Sequence, residues 1–429
     1  MNNAYSNLNI SENIQILSTM IESKIKSIFD EIDTRALYNE SKVMKVFKDN
    51  AVSQVHFNKT TGYGYDDIGR QTIEKMYAQI FNCEDALVRV QFVNGTHAIS
   101  TVLYALLMPG DKLLSITGNP YDTIKTVIGI EGDSKLSLKN YGIKYDQIAL
   151  LKDGNFDYEK IGKYLNENKV KLIEIQRSRG YELRKSIAID DIQKVVEYIK
   201  KIDDSVIIMV DNCYGEFVET KEPTDVGVDV VCGSLIKNIG GGLCETGAYI
   251  AGKKMYIDLC AQRLTCPGIG KECGATLDQN RNMLQGLFVA PTVVANALKT
   301  AVFTACILEK MGYETYPKYF EERSDIIQTV KFNDKEKLIK FIQGIQYASP
   351  VDSNVTAYPW NMPGYTDQVI MAAGTFIEGA SIELSADSPI RPPYVAYIQG
   401  GITYESAKLS ICSAIQNMID GEDKKWKLL

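Results

Sequence analysis

Histidine is almost missing from this chain: 429 residues hold two, His56 and His97, too few for a nitrogen-rich metal centre. Cysteine is scattered. The nine cysteines, an odd number, include no C-x-x-C pair, and Cys260, Cys266 and Cys273 fit no zinc spacing, so they read as reduced, structural thiols of a cytosolic protein. No export signal is expected either, because residues 1–12 are polar and have neither a basic start nor an apolar core. The longest apolar stretch, residues 286–308, is interrupted by Asn296 and Lys299, which fits a buried helix, expected near 292–310, better than a membrane span. No G-x-G-x-x-G follows the first strand pattern, which argues against a nicotinamide-binding protein. Internal repeats and low-complexity tracts are also absent.

What is present describes an ordinary folded protein. With 45% hydrophobic and 24% charged residues the chain can bury a full core, and its net charge of −7 argues against nucleic acid or an anionic membrane as the main partner. The length exceeds the usual size of one core, so one larger and one smaller domain are expected. Residues 10–49 have helical periodicity and suggest an N-terminal helical arm over residues 1–60. Residues 61–300 form the expected large domain. Within it a Gly-rich loop carrying Tyr63, Tyr65 and Arg70 leads into a helix near 71–82. Strand patterns at 86–92, 112–116, 170–175, 206–210 and 228–231 then alternate with helical ones, as in an α/β fold with a mostly parallel sheet and helices on both faces. In open sheets of this kind ligands sit at the carboxyl ends of the strands, where Asn94, Gln176 and Asp211 would meet. Residues 301–429 read as a smaller C-terminal domain mixing short strands and helices.

Asp211 ends one strand pattern, and Lys237 follows the next in Ser234-Leu235-Ile236-Lys237-Asn238-Ile239 ahead of Gly240, Gly241 and Gly242. An anion for a pyridinium nitrogen and an amine for an aldehyde are what pyridoxal phosphate requires. Flanked by Ile236 and Ile239, Lys237 is expected to be partly desolvated, with its pKa lowered toward the nucleophilic form. Asn94-Gly95-Thr96-His97 opens a helix after a strand and would offer N–H groups to a phosphate, although the same pattern is ordinary capping. Ser234 adds a hydroxyl to that cup. Tyr121 lies on a loop where its ring would stack on a flat cofactor. Arg391, stiffened by Pro389, Pro392 and Pro393, suits a clamp for a substrate carboxylate. Of Arg177, Arg179 and Arg184, the sequence does not distinguish which faces inward.

On these residues the chain resembles the fold type I pyridoxal phosphate enzymes of cysteine and methionine metabolism, and most closely the methionine gamma-lyase family associated with aluminium resistance. The most specific segments are residues 210–217, 233–242, 62–70 and 391–405. The resemblance implies a seven-stranded, mostly parallel sheet and a smaller α+β C-terminal domain. It implies Lys237 as the Schiff-base lysine, Asp211 as the pyridinium partner, Gly95, Thr96 and Ser234 as phosphate ligands, and Tyr121 as the stacking ring. It further implies a homotetramer of two close dimers, in which the Tyr63, Tyr65 and Arg70 loop of one subunit reaches its neighbour's phosphate. Three departures from the wider cystathionine-lyase pattern bear on the substrate: Ile236 replaces a threonine, Asn94 a serine, and residues 176–179 a proline-rich turn.

The expected activity is elimination at a sulfur-containing amino acid, of the methionine gamma-lyase or cystathionine beta-lyase type, in the cytoplasm. Lys237 would be the base, and Tyr121 or another acid the proton donor to the thiolate. The rivals are another reaction of the same cofactor, aldol cleavage of a hydroxy amino acid or racemisation, and a non-catalytic cofactor-binding or metal-stress protein.

Overall fold

In the computed structural model, which describes residues 4–362 and 367–419, the chain divides into two compact units. One is Tyr38–Ala290, and the other joins Met1–Leu37 to Pro291–Leu429. The N-terminal helix Glu12–Asp49 contributes to both.

Seven strands organise the first unit: β1 (Asp85–Arg89), β2 (Lys112–Ser115), β3 (Lys144–Gln147), β4 (Leu172–Gln176), β5 (Ile207–Asp211), β6 (Val230–Ser234) and β7 (Ala248–Gly252). They lie in the order β1-β7-β6-β5-β4-β2-β3. From β6 to β3 every pairing is parallel, and β7 is antiparallel to both β6 and β1. β4, β5 and β6 are buried along their whole length, which is why they read as continuous rather than alternating apolar runs. On one face, Ala98, Val102 and Leu106 of helix Gly95–Leu106 and Ile257 of helix Lys254–Leu264 share a core with Leu172, Met209 and Ile250. On the other, Tyr77 and Phe81 pack on Tyr249, with ring centroids 5.7 and 4.9 Å apart. Helices therefore cover both faces.

β3 is absent from the sequence reading because it is an edge strand whose Lys144, Asp146 and Gln147 are exposed, so its polar composition carries no strand signal. The long apolar helix begins at Asn280, well before the expected 292, and continues through Pro291. Among the described residues it is the one helix long and apolar enough to cross a membrane, and most of it is buried.

The second unit holds an antiparallel sheet of β8 (Glu314–Tyr316), β9 (Gln328–Lys331), β10 (Val369–Ala372), β11 (Ser385–Pro389) and β12 (Val395–Gln399), in the order β10-β11-β12-β9-β8. Helices Lys335–Tyr347 and Tyr404–Ile419 approach so closely at Gly344 that a Cβ there would lie 2.6 Å from Ala414 Cα.

Candidate active site

The parallel register of β4, β5 and β6 sets Gln176 opposite Asp211, and Asp211 opposite Cys232, at the carboxyl ends of the strands. Gln176 is buried. Its Oε1 accepts the Tyr121 N–H at 2.7 Å, which ties the Tyr121 loop to the same rim. Asn94 caps helix Gly95–Leu106 by accepting the His97 N–H at 2.9 Å, leaving the N–H groups of the first turn directed outward. A Cβ at Gly95 would stand 3.3 Å from Ser234 Cβ and 3.5 Å from Cys213 Sγ, so the helix start, the loop after β5 and the end of β6 converge there. Ser234 Oγ is buried and lacks a hydrogen-bond partner among the described residues. The buried Ser381 and Ser385 hydroxyls lack partners too, but Ser234 stands beside a helix N-terminus, where an anion is favoured. Thr96 Oγ1 lies at the rim, 2.9 Å from Thr123 Oγ1.

After Ser234 the chain turns back on itself, with the Gly240 N–H donating to Lys237 O at 3.2 Å. Glycine is required at 240, where a Cβ would fall 1.7 Å from Leu235 O. This turn presents the partly buried Lys237 to the loop after β5, with its amine 4.1 Å from the centre of the Tyr214 ring. The lowered pKa expected from desolvation is corrected here. Burial does pull the amine down, but Cys213, Tyr214 and Asp211 together outweigh it and hold the amine above the ordinary lysine value. The isoleucines signalled the burial, and nothing in the local sequence weighed the facing groups.

The loop after β5 is fastened from below by Arg177. This fully buried guanidinium donates to Asn212 Oδ1 at 2.7 Å, Gly215 O at 3.0 Å, Ile187 O at 3.2 Å and Glu219 Oε1 at 2.7 Å. Glu222 accepts from Asn212 Nδ2 at 2.9 Å and from the Phe217 N–H at 2.9 Å, and Asn238 donates to Glu216 O at 3.1 Å. Arg184 instead stitches its own loop by donating to Gln176 O at 2.9 Å and Ser178 O. Arg179 is buried.

Two expected site elements lie apart from these strand ends in character. Tyr63 and Tyr65 are exposed and stack on each other, with ring centroids 5.6 Å apart. Arg70 is buried beneath them and donates to Gly64 O and Gly274 O, both at 2.6 Å, and to Glu272 O at 3.1 Å. It therefore holds the tyrosine loop in shape. In the second unit Arg391 is exposed, and its Nη1 pairs with Asp367 Oδ2 at 3.0 Å.

The family model for methionine gamma-lyase matches residues 14–419. The chain belongs to the methionine gamma-lyase family. Among curated proteins it is 52% identical over 400 residues to the uncharacterized protein YnbB of Bacillus subtilis (strain 168), covering 93% of this chain and 95% of that one. Among solved structures it matches a carbon-sulfur lyase involved in aluminum resistance from Clostridium novyi NT, at 49% identity and a TM-score of 0.93, over 96% of this chain and 97% of that one. The pyridoxal-5'-phosphate dependent protein YhfS from Escherichia coli, 16% identical with a TM-score of 0.60 over 90% of this chain and 97% of that one, shares the fold, which is fold type I. Membership in the methionine gamma-lyase family carries with it the class of a pyridoxal phosphate-dependent lyase.

The residues present suit that cofactor. The orphan Ser234 hydroxyl beside Gly95 fits its phosphate, Asp211 fits a ring nitrogen, and Lys237 fits its aldehyde. Sequence reasoning missed two buried carboxyl groups around this methionine gamma-lyase family site. Glu174 lies on β4 two residues before Gln176, on the same face, and burial together with the facing Asp211 pushes it up to about 8. Glu216 accepts the Tyr249 hydroxyl at 2.9 Å, and burial, with Glu222 nearby, pushes it up to about 8 against the opposing pull of Tyr249 and Lys237. One acidic residue inside the run Leu172–Gln176 was the available signal for the first.

Proposed function

We propose that the chain is a pyridoxal phosphate-dependent carbon-sulfur lyase that eliminates a thiol from a sulfur-containing amino acid, giving ammonia and a 2-oxo acid. The observation that carries this reading is the convergence of Gly95, the orphan Ser234 hydroxyl, Cys213 and Asp211 beside the Lys237 amine. When bound, the cofactor supplies an aldehyde carbon for the substrate amine and a ring that draws electron density from the α-carbon.

The chain's own residues do the rest. Gly95, Thr96 and Ser234 would hold the phosphate, and Asp211 would keep a proton on the ring nitrogen. Lys237 would hold the aldehyde, and its amine, when free, would act as general base toward the substrate α-proton. Tyr121, whose N–H is held by Gln176, would stack on the ring, and it or another acid would give a proton to the departing thiolate. Arg391 exchanges Asp367 for the substrate carboxylate. Tyr63 and Tyr65, on the loop braced by Arg70, reach the phosphate of a neighbouring subunit in a homotetramer made of two close dimers. The substrate is an amino acid, with neither nucleic acid nor membrane as partner, and the compartment is the cytoplasm.

The test is a visible spectrum of the purified protein with added pyridoxal phosphate, followed by borohydride reduction and peptide mapping. A yellow protein whose reduced adduct maps to Lys237, and which releases thiol from methionine or cystathionine, is the expected result. Lys237→Ala is expected to lose both the adduct and all measurable thiol release. Full activity in that variant would sink the assignment.

A further inference from the structure

Tyr214 is a bulky residue in left-handed backbone, φ 71°, a conformation that disfavours any side chain with a Cβ. Such a conformation persists only where its surroundings over-determine it. Here they do on both sides. The Gly215 N–H donates to Asn212 O at 2.9 Å, Arg177 donates to Asn212 Oδ1 at 2.7 Å and to Gly215 O at 3.0 Å, and a Cβ at Gly215 would lie 2.3 Å from Arg177 Nη1. Two residues on, the Phe217 N–H is held by Glu222 at 2.9 Å. All of this buried fastening fixes the direction of one ring, and that ring meets the Lys237 amine at 4.1 Å from its centre.

We propose that Tyr214 is a positioning residue for Lys237, its ring face stabilising positive charge on the lysine nitrogen each time that nitrogen carries a proton. The inference rests on the proposed function, in which Lys237 alternates between holding the cofactor and taking the α-proton. A cation over an aromatic face is attracted by the ring's quadrupole, and more strongly where water is excluded. Tyr214 therefore favours the product side of α-proton removal, where the lysine has become an ammonium, and makes Lys237 a stronger base than its burial alone would allow. It also keeps the displaced amine at one place until the cofactor returns. The other groups facing Lys237 are Asp211 at the end of β5, Cys213 beside Tyr214, and Glu216 two residues beyond it. None of the three changes when the ring is removed.

Glycine is at home at φ 71°, so Tyr214→Gly removes the ring while relieving the backbone, and Tyr214→Asn provides a second ringless variant tolerant of that conformation. Tyr214→Phe keeps the ring. Each protein is loaded with pyridoxal phosphate, and attachment at Lys237 is first checked by borohydride mapping. Failure of attachment in the unaltered protein overturns the proposed function and not merely this inference. The pH midpoint of the visible band is then titrated, and exchange of the α-proton of L-alanine with deuterium is followed by NMR. Expected for both ringless variants are a midpoint at lower pH and a plateau exchange rate lower by about tenfold, with Tyr214→Phe, which loses only the hydroxyl's own hydrogen bond to the amine, displaced much less. A structural role would lower the plateau without moving the midpoint. An unmoved midpoint in the ringless variants, or an equal displacement in Tyr214→Phe, overturns the proposal.

Discussion

Two loops of the larger unit pass through left-handed backbone, and they do so by opposite means. After β5 the positive φ angles fall on Tyr214 (71°) and Phe217 (59°), residues that resist them, and buried bonds from Arg177 and Glu222 enforce the shape. Before helix Ile68–Ile80 they fall on Gly62 (62°), Gly64 (60°) and Asp66 (52°), which adopt them readily. The side chains follow suit: Tyr214 lies against Lys237, whereas Tyr63 and Tyr65 are exposed. Strain is held where a side chain must be aimed at one atom within the chain. Freely turning residues are used where aromatic rings are presented outward. Each loop has its arginine, and both are buried, but Arg177 binds side chains as well as backbone while Arg70 accounts for three backbone carbonyls.

The strongest way to break the contrast is Arg177→Met, which fills similar volume but leaves Asn212 Oδ1, Glu219 and two carbonyls without their donor. Loss of one partner from a buried charged network costs about 3–5 kcal/mol, so urea unfolding should show a destabilisation of that size. Bound cofactor should weaken as well, since Asn212 adjoins Asp211. A loss below about 1 kcal/mol would mean that the loop holds its shape without the clamp.

The pH dependence of stability sharpens the same contrast, because the carboxyl groups behind the rigid loop keep their protons, whereas Asp67 beside Tyr63 and Tyr65, despite its burial, is held below the usual carboxylate range by hydrogen bonds from Thr60, the Arg70 N–H, Thr276 and Asn280. Glu174 and Glu216 are buried and hold their protons up to about 8, against 4.5 for an ordinary glutamate. Between those values the folded protein keeps protons that the unfolded chain has released, so stability falls as pH rises. The slope is about 1.4 kcal/mol per pH unit for each group. Glu174→Gln and Glu216→Gln keep the shape but cannot ionise. Thermal unfolding followed across that window should therefore show a flatter decline in each, and an unchanged slope in both would refute the placement of the protons.

The strands that carry the site were legible because burial on both faces makes them continuous apolar runs, and Asp211 and Lys237 stood out at their ends. β3 was not, since its side chains face water and its pairing is a property of the sheet. The start of the long helix was misplaced because Pro291 reads as a boundary, yet a helix continues through it when packing compensates for one missing N–H. Within the site, burial of Lys237 was readable from Ile236 and Ile239, but the direction of its pKa was not, because that depends on Cys213 and Tyr214, which reach it through a turn set by Arg177. The register of Gln176 with Asp211 needed only parallel pairing of neighbouring strands. The choice among the three arginines needed tertiary contacts throughout.

The outward loop should respond in the opposite sense from the clamp. Tyr63→Ala and Tyr65→Ala remove exposed rings that stack on each other, the Tyr65 hydroxyl also meeting Cys273, and surface changes of this kind alter stability by no more than about 0.5 kcal/mol. If the two rings serve a neighbouring subunit, the double variant should unfold at nearly the unaltered temperature while losing affinity for pyridoxal phosphate. Equilibrium dialysis and light scattering on the same sample separate the two effects. A large fall in melting temperature with cofactor affinity intact would mean that the exposed tyrosines support their own chain, and that the two loops differ in burial but not in purpose.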